Sequence, residues 1–461
     1  MARPVSAEKA QKMLNNKISS LLFEMAVPTI MAQLITTIYN LVDTYFVSTI
    51  GTSATAAVGV NSSLERTITL VGSLLGAGAC SYIARLLGAK KKESADRVLS
   101  TSFFTGLGFG LVLMIVGMLV IEPLVYLLGA TEDCATYSMQ YAQYVLFAAP
   151  FMIGQFILNM CLRSEGSATY ALVGIAFGGI LNCFLDPLFI YTLGLGVAGA
   201  SMATAISKFI SFCILAWPYI RKRTAVLISI KKIKYVWEDI KEVISIGSAS
   251  FFRSAFSVVA SITINRVAGG YSTAALAALS VANRVMEFPF AIILGFGQGF
   301  QPVAGFNWGA KQMQRVRECL KFALKVSGIG AVVIGAVIAI AATPIVHVFN
   351  READLAVLEL GVLCIRLQCV VLFSHAINSI ANMFYGGIGK AKYMLLLSTS
   401  RQGYVFIPVA IVLPMLFGEV GVAAAQATAD LLCLAIVVPL LIKAFHMIDQ
   451  REEEVAQEVK E

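Results

Sequence analysis

Two stretches limit what this chain can become more than any other feature. Residues 101–121 (TSFFTGLGFGLVLMIVGMLVI) and 326–346 (VSGIGAVVIGAVIAIAATPIV) each run for 21 residues without a charged side chain. A helix of about 20 apolar residues crosses the hydrocarbon core of a bilayer. Lipid offers the backbone no hydrogen-bond partners, so a spanning chain must be helical or form a closed barrel. Continuous apolar runs, with no period-two alternation, select helices. The composition agrees, with 58% hydrophobic and 13% charged residues, where soluble domains carry roughly 25% charged. The lipid bilayer is therefore the expected surroundings of this chain.

Apolar runs read against charged punctuation give twelve spans, near 20–48, 55–82, 98–121, 135–158, 169–191, 196–219, 243–266, 274–303, 318–345, 356–384, 393–415 and 419–444. Lys and Arg crowd into RLLGAKKKESADR (85–97), YIRKRTAVLISIKKIKYVWEDIK (219–241) and NWGAKQMQRVRE (307–318). The intervening loop IEPLVYLLGATED (121–133) has only acids, and the 48–55 and 192–198 connections carry no charge. Basic loops stay in the cytoplasm, so both termini are expected there. The net charge of +8 is thereby a topology signal, and no nucleic-acid partner is expected. Nine scattered cysteines lack zinc-ligand spacing and read as small packing residues. The N-terminus, MARPVSAEKAQKMLNNKISSLLFEMAVP, has no cleavable signal pattern.

The two halves repeat. ATAAVGV (54–60) aligns with ALAALSV (275–281), and GAGACSYIARLLGAK (76–90) with GQGFQPVAGFNWGAK (297–311), both at an offset of 221. LNMCLRSEGSATY (158–170) matches ANMFYGGIGKAKY (381–393) at 223. Six spans separate equivalent positions, so both halves share one orientation and their relating axis lies along the membrane normal. The expected fold is an all-α membrane protein with twelve transmembrane helices in two pseudo-symmetric six-helix bundles. The layout is a cytoplasmic segment 1–19, an N-lobe 20–219, a basic cytoplasmic linker 220–242, a C-lobe 243–445 and a cytoplasmic tail 446–461.

Polar side chains are costly inside a membrane and mark function by default. The first span carries Asn40 and Asp43; the fifth carries Asn182 and Asp186, four apart and so on one helix face; the sixth carries Thr204 and Lys208 at the same spacing. Asn159 closes the fourth span. Two carboxylates with amide and hydroxyl oxygens suit a proton or a small hard cation; a protonated Asp186 bonding its neighbours as packing glue is the alternative. Pro28, early in the first span, removes a backbone hydrogen bond and makes either a passive kink or a gating bend. The second half does not repeat the acids: Ile264 aligns with Asp43, and Ile407 lies near the equivalent of Asp186. It offers Arg284 and Glu287 on the eighth span, together with Arg253, Arg366, His375, Arg401 and Asp430. Lys208 and Asp430 occupy equivalent places, each suited either to a role in transport or to pairing and snorkelling. GLGFG (106–110) lacks the Gly-Lys-Ser/Thr of a phosphate loop, and no HExxH or GxSxG occurs. Nothing indicates an enzyme, and the energy for any transport is expected from a gradient.

In this order the motifs resemble the multidrug and toxic compound extrusion (MATE) transporters. The likeness runs over about 15–450 and rests on AVPTIMAQLITTIYNLVDTYFVSTIG in the first span, the twice-used Gly-Ala-Lys, RSEGSATYALVG after the fourth span, NCFLDPLFIY in the fifth and GVAGASMATAIS into the sixth. The sequence is most similar to the bacterial and archaeal branch, which includes Gram-positive multidrug exporters. The resemblance implies export of organic cations in exchange for Na⁺ or H⁺ by alternating access through a V-shaped cavity, with no cofactor. It implies a coupling site at Asp43, Asn182, Asp186 and Thr204, which would also hold Na⁺ if that is the coupling ion, and a bending role for Pro28. Asn40, Asn159, Lys208, Arg284, Glu287 and Asp430 are accessory candidates. Some branches place an essential acid on the seventh or tenth span; here those carry Arg253, Arg366 and His375 instead, and Glu287 is the nearest substitute. Small amphipathic cations are the expected substrates, and 16 Met and 28 Phe provide adaptable surfaces for them. The protein is expected to work in the cell membrane as a monomer. A flippase for a lipid-linked saccharide or other lipid is the alternative, because Arg253, Arg284, Arg366 and Arg401 could form a basic patch for pyrophosphate.

Overall fold

The structure is a computed structural model and describes residues 4–349 and 354–458. Among the described residues every regular element is helical. In chain order these are α1 (Pro4–Asn15), α2 (Ile18–Ser48), α3 (Thr52–Gly88), α4 (Lys92–Leu119), α5 (Ile121–Leu127), α6 (Glu132–Ser164), α7 (Ala168–Pro187) and α8 (Gly196–Ile220). There follow α9 (Trp237–Tyr271), α10 (Thr273–Gly309), α11 (Met313–Phe349), α12 (Leu355–Val370), α13 (Leu372–Gly387), α14 (Ala391–Thr399) and α15 (Phe406–Glu458). Wider π-helical turns follow α7 at Leu188–Thr192 and α14 at Ser400–Tyr404.

Three features depart from the simple run of spans read in the sequence. The tenth span bends by 48° between α12 and α13. The last two spans join in one helical run, broken at Gly418 with φ 60° and ψ −136°, a backbone state that favours glycine. The helices also overrun the expected ends, α3 reaching Gly88 and α15 reaching Glu458. The stretch read as a cytoplasmic tail is thus helical through Glu458, and residues 459–461 lie outside the described residues, as do residues 1–3 of the N-terminal segment.

The chain forms two compact units, Met1–Asn16 with Val27–Gly247, and Lys17–Ala26 with Ser248–Glu461. One helix, α2, therefore contributes its first residues to the second unit and the rest, from one residue before Pro28, to the first.

In the first unit α6 is the central helix, packed on α3, α4 and α8. Its buried face includes Tyr141, Leu146, Ile153 and Ile157, all in the main apolar core. In lipid, apolar contact alone does not hold helices together, and close approach through small residues does much of that work. A Cβ at Gly247 would lie 1.8 Å from the Leu74 carbonyl oxygen, and one at Gly78 2.0 Å from that of Val243. Glycine is required at both places for α3 and the start of α9 to touch. In the second unit the bent pair α12–α13, which carries Asn382, takes the corresponding place against α10, α11 and α15, around Met286, Ile293, Ile365 and Leu372.

The repeat is visible in local geometry. Lys90 and Lys311, ending the two Gly-Ala-Lys motifs, both take φ 60°. In each, the N–H of the next residue returns to a carbonyl five residues back: Lys91 to Leu86 at 2.8 Å and Gln312 to Asn307 at 3.0 Å. This closes the last turn of α3 and of α10. Asn159 and Asn382, also equivalent, donate to the carbonyls of Ala171 at 3.0 Å and Met394 at 2.9 Å, tying successive helices in each unit.

The connection 220–242 is strapped to the first unit by two buried acids. Asp96 accepts the Leu227 N–H at 2.7 Å and pairs with Lys232. Glu165, wholly buried, accepts from Lys9 and Ser167 at 3.0 Å and from the Ala225 and Val226 N–H groups at 2.5 and 3.3 Å. Burial pushes the Glu165 carboxyl above the usual carboxylate range, while Lys9 pulls it back. Within the N-terminal segment, α1 is thus held through Lys9 and the buried Met13.

Candidate functional site

The fifth and sixth spans bring three of the four coupling candidates together. Asp186 is the penultimate residue of α7, just before Pro187 and the π-helical turn. A proline supplies no N–H and a π turn changes side-chain direction, a combination frequent at functional sites. Asn182 lies one turn earlier and donates from Nδ2 to Asp186 Oδ1 at 3.1 Å and to Thr204 Oγ1 on α8 at 3.3 Å. All three are buried, Asp186 completely.

Asp43 on α2 joins this group through its field, acting electrostatically on Asp186, with no direct hydrogen bond to it among the described residues. Three side-chain oxygens in the group, Asp43 Oδ1, Asn182 Oδ1 and Asp186 Oδ2, are buried without a donor. Buried oxygens are normally satisfied, and several acceptors without donors ask for a proton or a cation. Among the described residues no three His, Cys, Asp or Glu side chains gather as a metal centre. The donor set is instead carboxylate, amide and hydroxyl oxygen, which suits hard monovalent cations and protons.

The structure adds a residue that sequence reading passed over. Glu65, midway along α3, accepts from the Tyr141 hydroxyl at 3.2 Å and interacts electrostatically with Asp43 and Lys208. The available signal was an acid inside an apolar span, obscured by the adjacent Arg66. Lys208 on α8 donates to the Tyr39 hydroxyl at 2.7 Å and stands 4.8 Å from that ring's centre. Three carboxylates and one ammonium thus share the interior of the first unit, giving it an acidic character.

The other candidates have different surroundings. Asn40 is exposed on α2. Asn159 lies inside α6, more than a turn before its end, and holds Ala171 while accepting from Arg163. Arg284 and Glu287 are exposed on α10. Asp430 is buried on α15, where it is neutralised by Arg401, with N–O distances of 2.8 and 3.2 Å, and accepts from Gln426 Nε2 at 3.0 Å. Pro28 lies inside the continuous helix α2.

The sequence model of the MatE family matches residues 28–188 and 249–412, together well over half the chain. This chain belongs to the MatE family. The multidrug export protein MepA of Staphylococcus saprophyticus is 26% identical over 435 residues, covering 93% of this chain and 94% of that protein. A multidrug resistance MATE family transporter of the MOP superfamily, solved in an outward-facing conformation, superposes with a TM-score of 0.89 at 25% identity, covering 96% of this chain and 98% of its own. A MATE solved in a bent conformation matches with a TM-score of 0.88 at 25% identity, over 97% of this chain and 99% of that one. The all-helical membrane fold of this MatE protein is therefore that of MATE transporters.

Proposed function

We propose that this protein is a secondary active multidrug exporter that moves amphipathic organic cations across the cell membrane in exchange for Na⁺ or H⁺, working as a single chain with both termini in the cytoplasm. Family membership and the likeness to MepA over nearly the entire chain support the export of drugs. The observation carrying the coupling step is the trio of buried oxygens without donors on Asp43, Asn182 and Asp186. The incoming ion binds these oxygens, with Thr204 as a further ligand and Glu65 shaping the field. A proton or Na⁺ there cancels negative charge that burial makes costly, and the shape with the ion bound becomes the favoured one. Pro28 gives α2 a bend point one residue after its allegiance passes between units, which suits a helix with two shapes of similar energy.

The flippase reading draws less support. Of the four arginines that could bind pyrophosphate, Arg401 is tied to Asp430 and Arg366 donates to the Ala339 carbonyl at 3.4 Å. The deciding experiment loads proteoliposomes with an amphipathic cationic dye and imposes Na⁺ and H⁺ gradients separately. Efflux driven by one of them is expected. Dye movement indifferent to both gradients, alongside movement of a lipid-linked pyrophosphate, would replace this reading with the flippase.

A further inference from the structure

The second unit holds a basic cluster that the coupling site does not use. Arg253 lies close to the midpoint of the 35-residue helix α9, half-buried, and among the described residues no carboxylate pairs with it. Its electrostatic neighbour is another cation, Arg401. Arg401 sits on the π-helical turn after α14, where it is already neutralised by Asp430 and stands 4.6 Å from the centre of the Phe290 ring. His375, on α13, faces both arginines and packs edge-on against the same Phe290 ring at 4.8 Å. Its Nδ1 is buried without a partner. Arg401 and His375 thus converge on one aromatic ring from separate elements, Arg253 acts electrostatically on both, and among the described residues the carboxylate paired with this cluster is Asp430.

An unpaired cation halfway through a membrane helix is costly, and such a residue normally has a partner or a task. Arg401 has its partner. Arg253 and the free His375 nitrogen have none, and both match an oxyanion: a guanidinium donates two parallel hydrogen bonds to a carboxylate or phosphate, and the imidazole Nδ1–H tautomer donates a third. Phe290 beside them presents an apolar surface to the body of the same ligand. We propose that Arg253 and His375, together with Arg401, form an oxyanion-binding site in the second unit, suited to the carboxylate or phosphate of an amphipathic molecule. An anionic group on the ligand goes beyond the simple cations of the export reading. The site itself does not depend on that reading.

The oxyanion can come from a transported compound or from a membrane lipid, and one set of binding measurements separates them. The full-length protein is placed in nanodiscs of phosphatidylcholine. The affinity of a xanthene dye bearing a free carboxylate is compared with that of its ester, which lacks the anionic oxygen. In the wild type the acid is expected to bind at least as tightly as the ester. Arg253→Gln should weaken the acid about tenfold and leave the ester unchanged, while Arg253→Lys should retain most of the acid binding. In the lipid arm, native mass spectrometry of protein in mixed phosphatidylglycerol and phosphatidylcholine discs should show phosphatidylglycerol retained by the wild type and lost in Arg253→Gln. Either selective loss supports the site and names its source. If Arg253→Gln leaves both acid binding and phosphatidylglycerol retention intact, or weakens acid and ester alike, the proposal is overturned. Because these readouts are of binding, they stand even if ion-driven export fails.

Discussion

Replacing Asp186 by Asn is the most direct test of the coupling site. The side chain is completely buried; one oxygen accepts from Asn182 at 3.1 Å and the other has no donor. An amide of the same shape keeps an acceptor for Asn182 and fills the unsatisfied position with an NH₂ group. It also removes a buried charge, so the folded protein should stay within about 1 kcal/mol of wild type. The ion, however, loses its charged ligand. Contacts to ionised groups are worth about 1.5–3 kcal/mol, so coupling-ion affinity should fall by roughly ten- to 150-fold at 1.4 kcal/mol per tenfold. The assay is dye efflux from proteoliposomes across a range of Na⁺ or H⁺ gradients, with thermal unfolding in detergent as the control. Efflux should collapse at gradients that saturate the wild type, with the melting curve little changed. Full efflux from Asp186→Asn at ordinary gradients would refute the assignment, and a collapsed melting curve would show that Asp186 serves packing.

Pro28→Ala should restore the missing backbone hydrogen bond in α2 and remove a penalty of about 3 kcal/mol for proline in a helix interior. That much bias toward the straight form is enough to slow turnover by at least tenfold in stopped-flow efflux while leaving dye affinity near wild type; unchanged turnover would make Pro28 a passive kink. Glu165→Ala should cost about 3–5 kcal/mol, because it takes the counter-charge from Lys9 and the acceptor from the Ala225 and Val226 N–H groups that the carboxylate now holds. Faster trypsin cleavage at Lys222 and Arg223 together with a lowered melting temperature would check this, and cleavage at the wild-type rate would contradict the strap.

The sequence by itself determined the helical, membrane-spanning class, the repeat and the pairing of Asn182 with Asp186. Each is encoded locally: length of apolar run sets the span, recurrence sets the symmetry, and a separation of four puts two side chains on one helix face. The Gly-Ala-Lys turns at Lys90 and Lys311 were equally legible, since a helix end is built from the few residues around it. Other features depended on what stands beside a residue on a different helix, and these the tertiary structure decided. Glu65 stands in sequence beside Arg66; only tertiary packing gives it the Tyr141 hydroxyl of α6 and the field of Asp43 on α2. Arg401 and Asp430, 29 residues apart, satisfy each other because the π-helical turn and α15 meet, while among the described residues no carboxylate pairs with Arg253. The strap follows the same rule: Glu165 can hold Lys9 and the 225–226 backbone only once three distant segments have folded onto one another. Burial and cross-helix partners fix the energy of a charge inside a membrane, and neither is a property of its position along the chain.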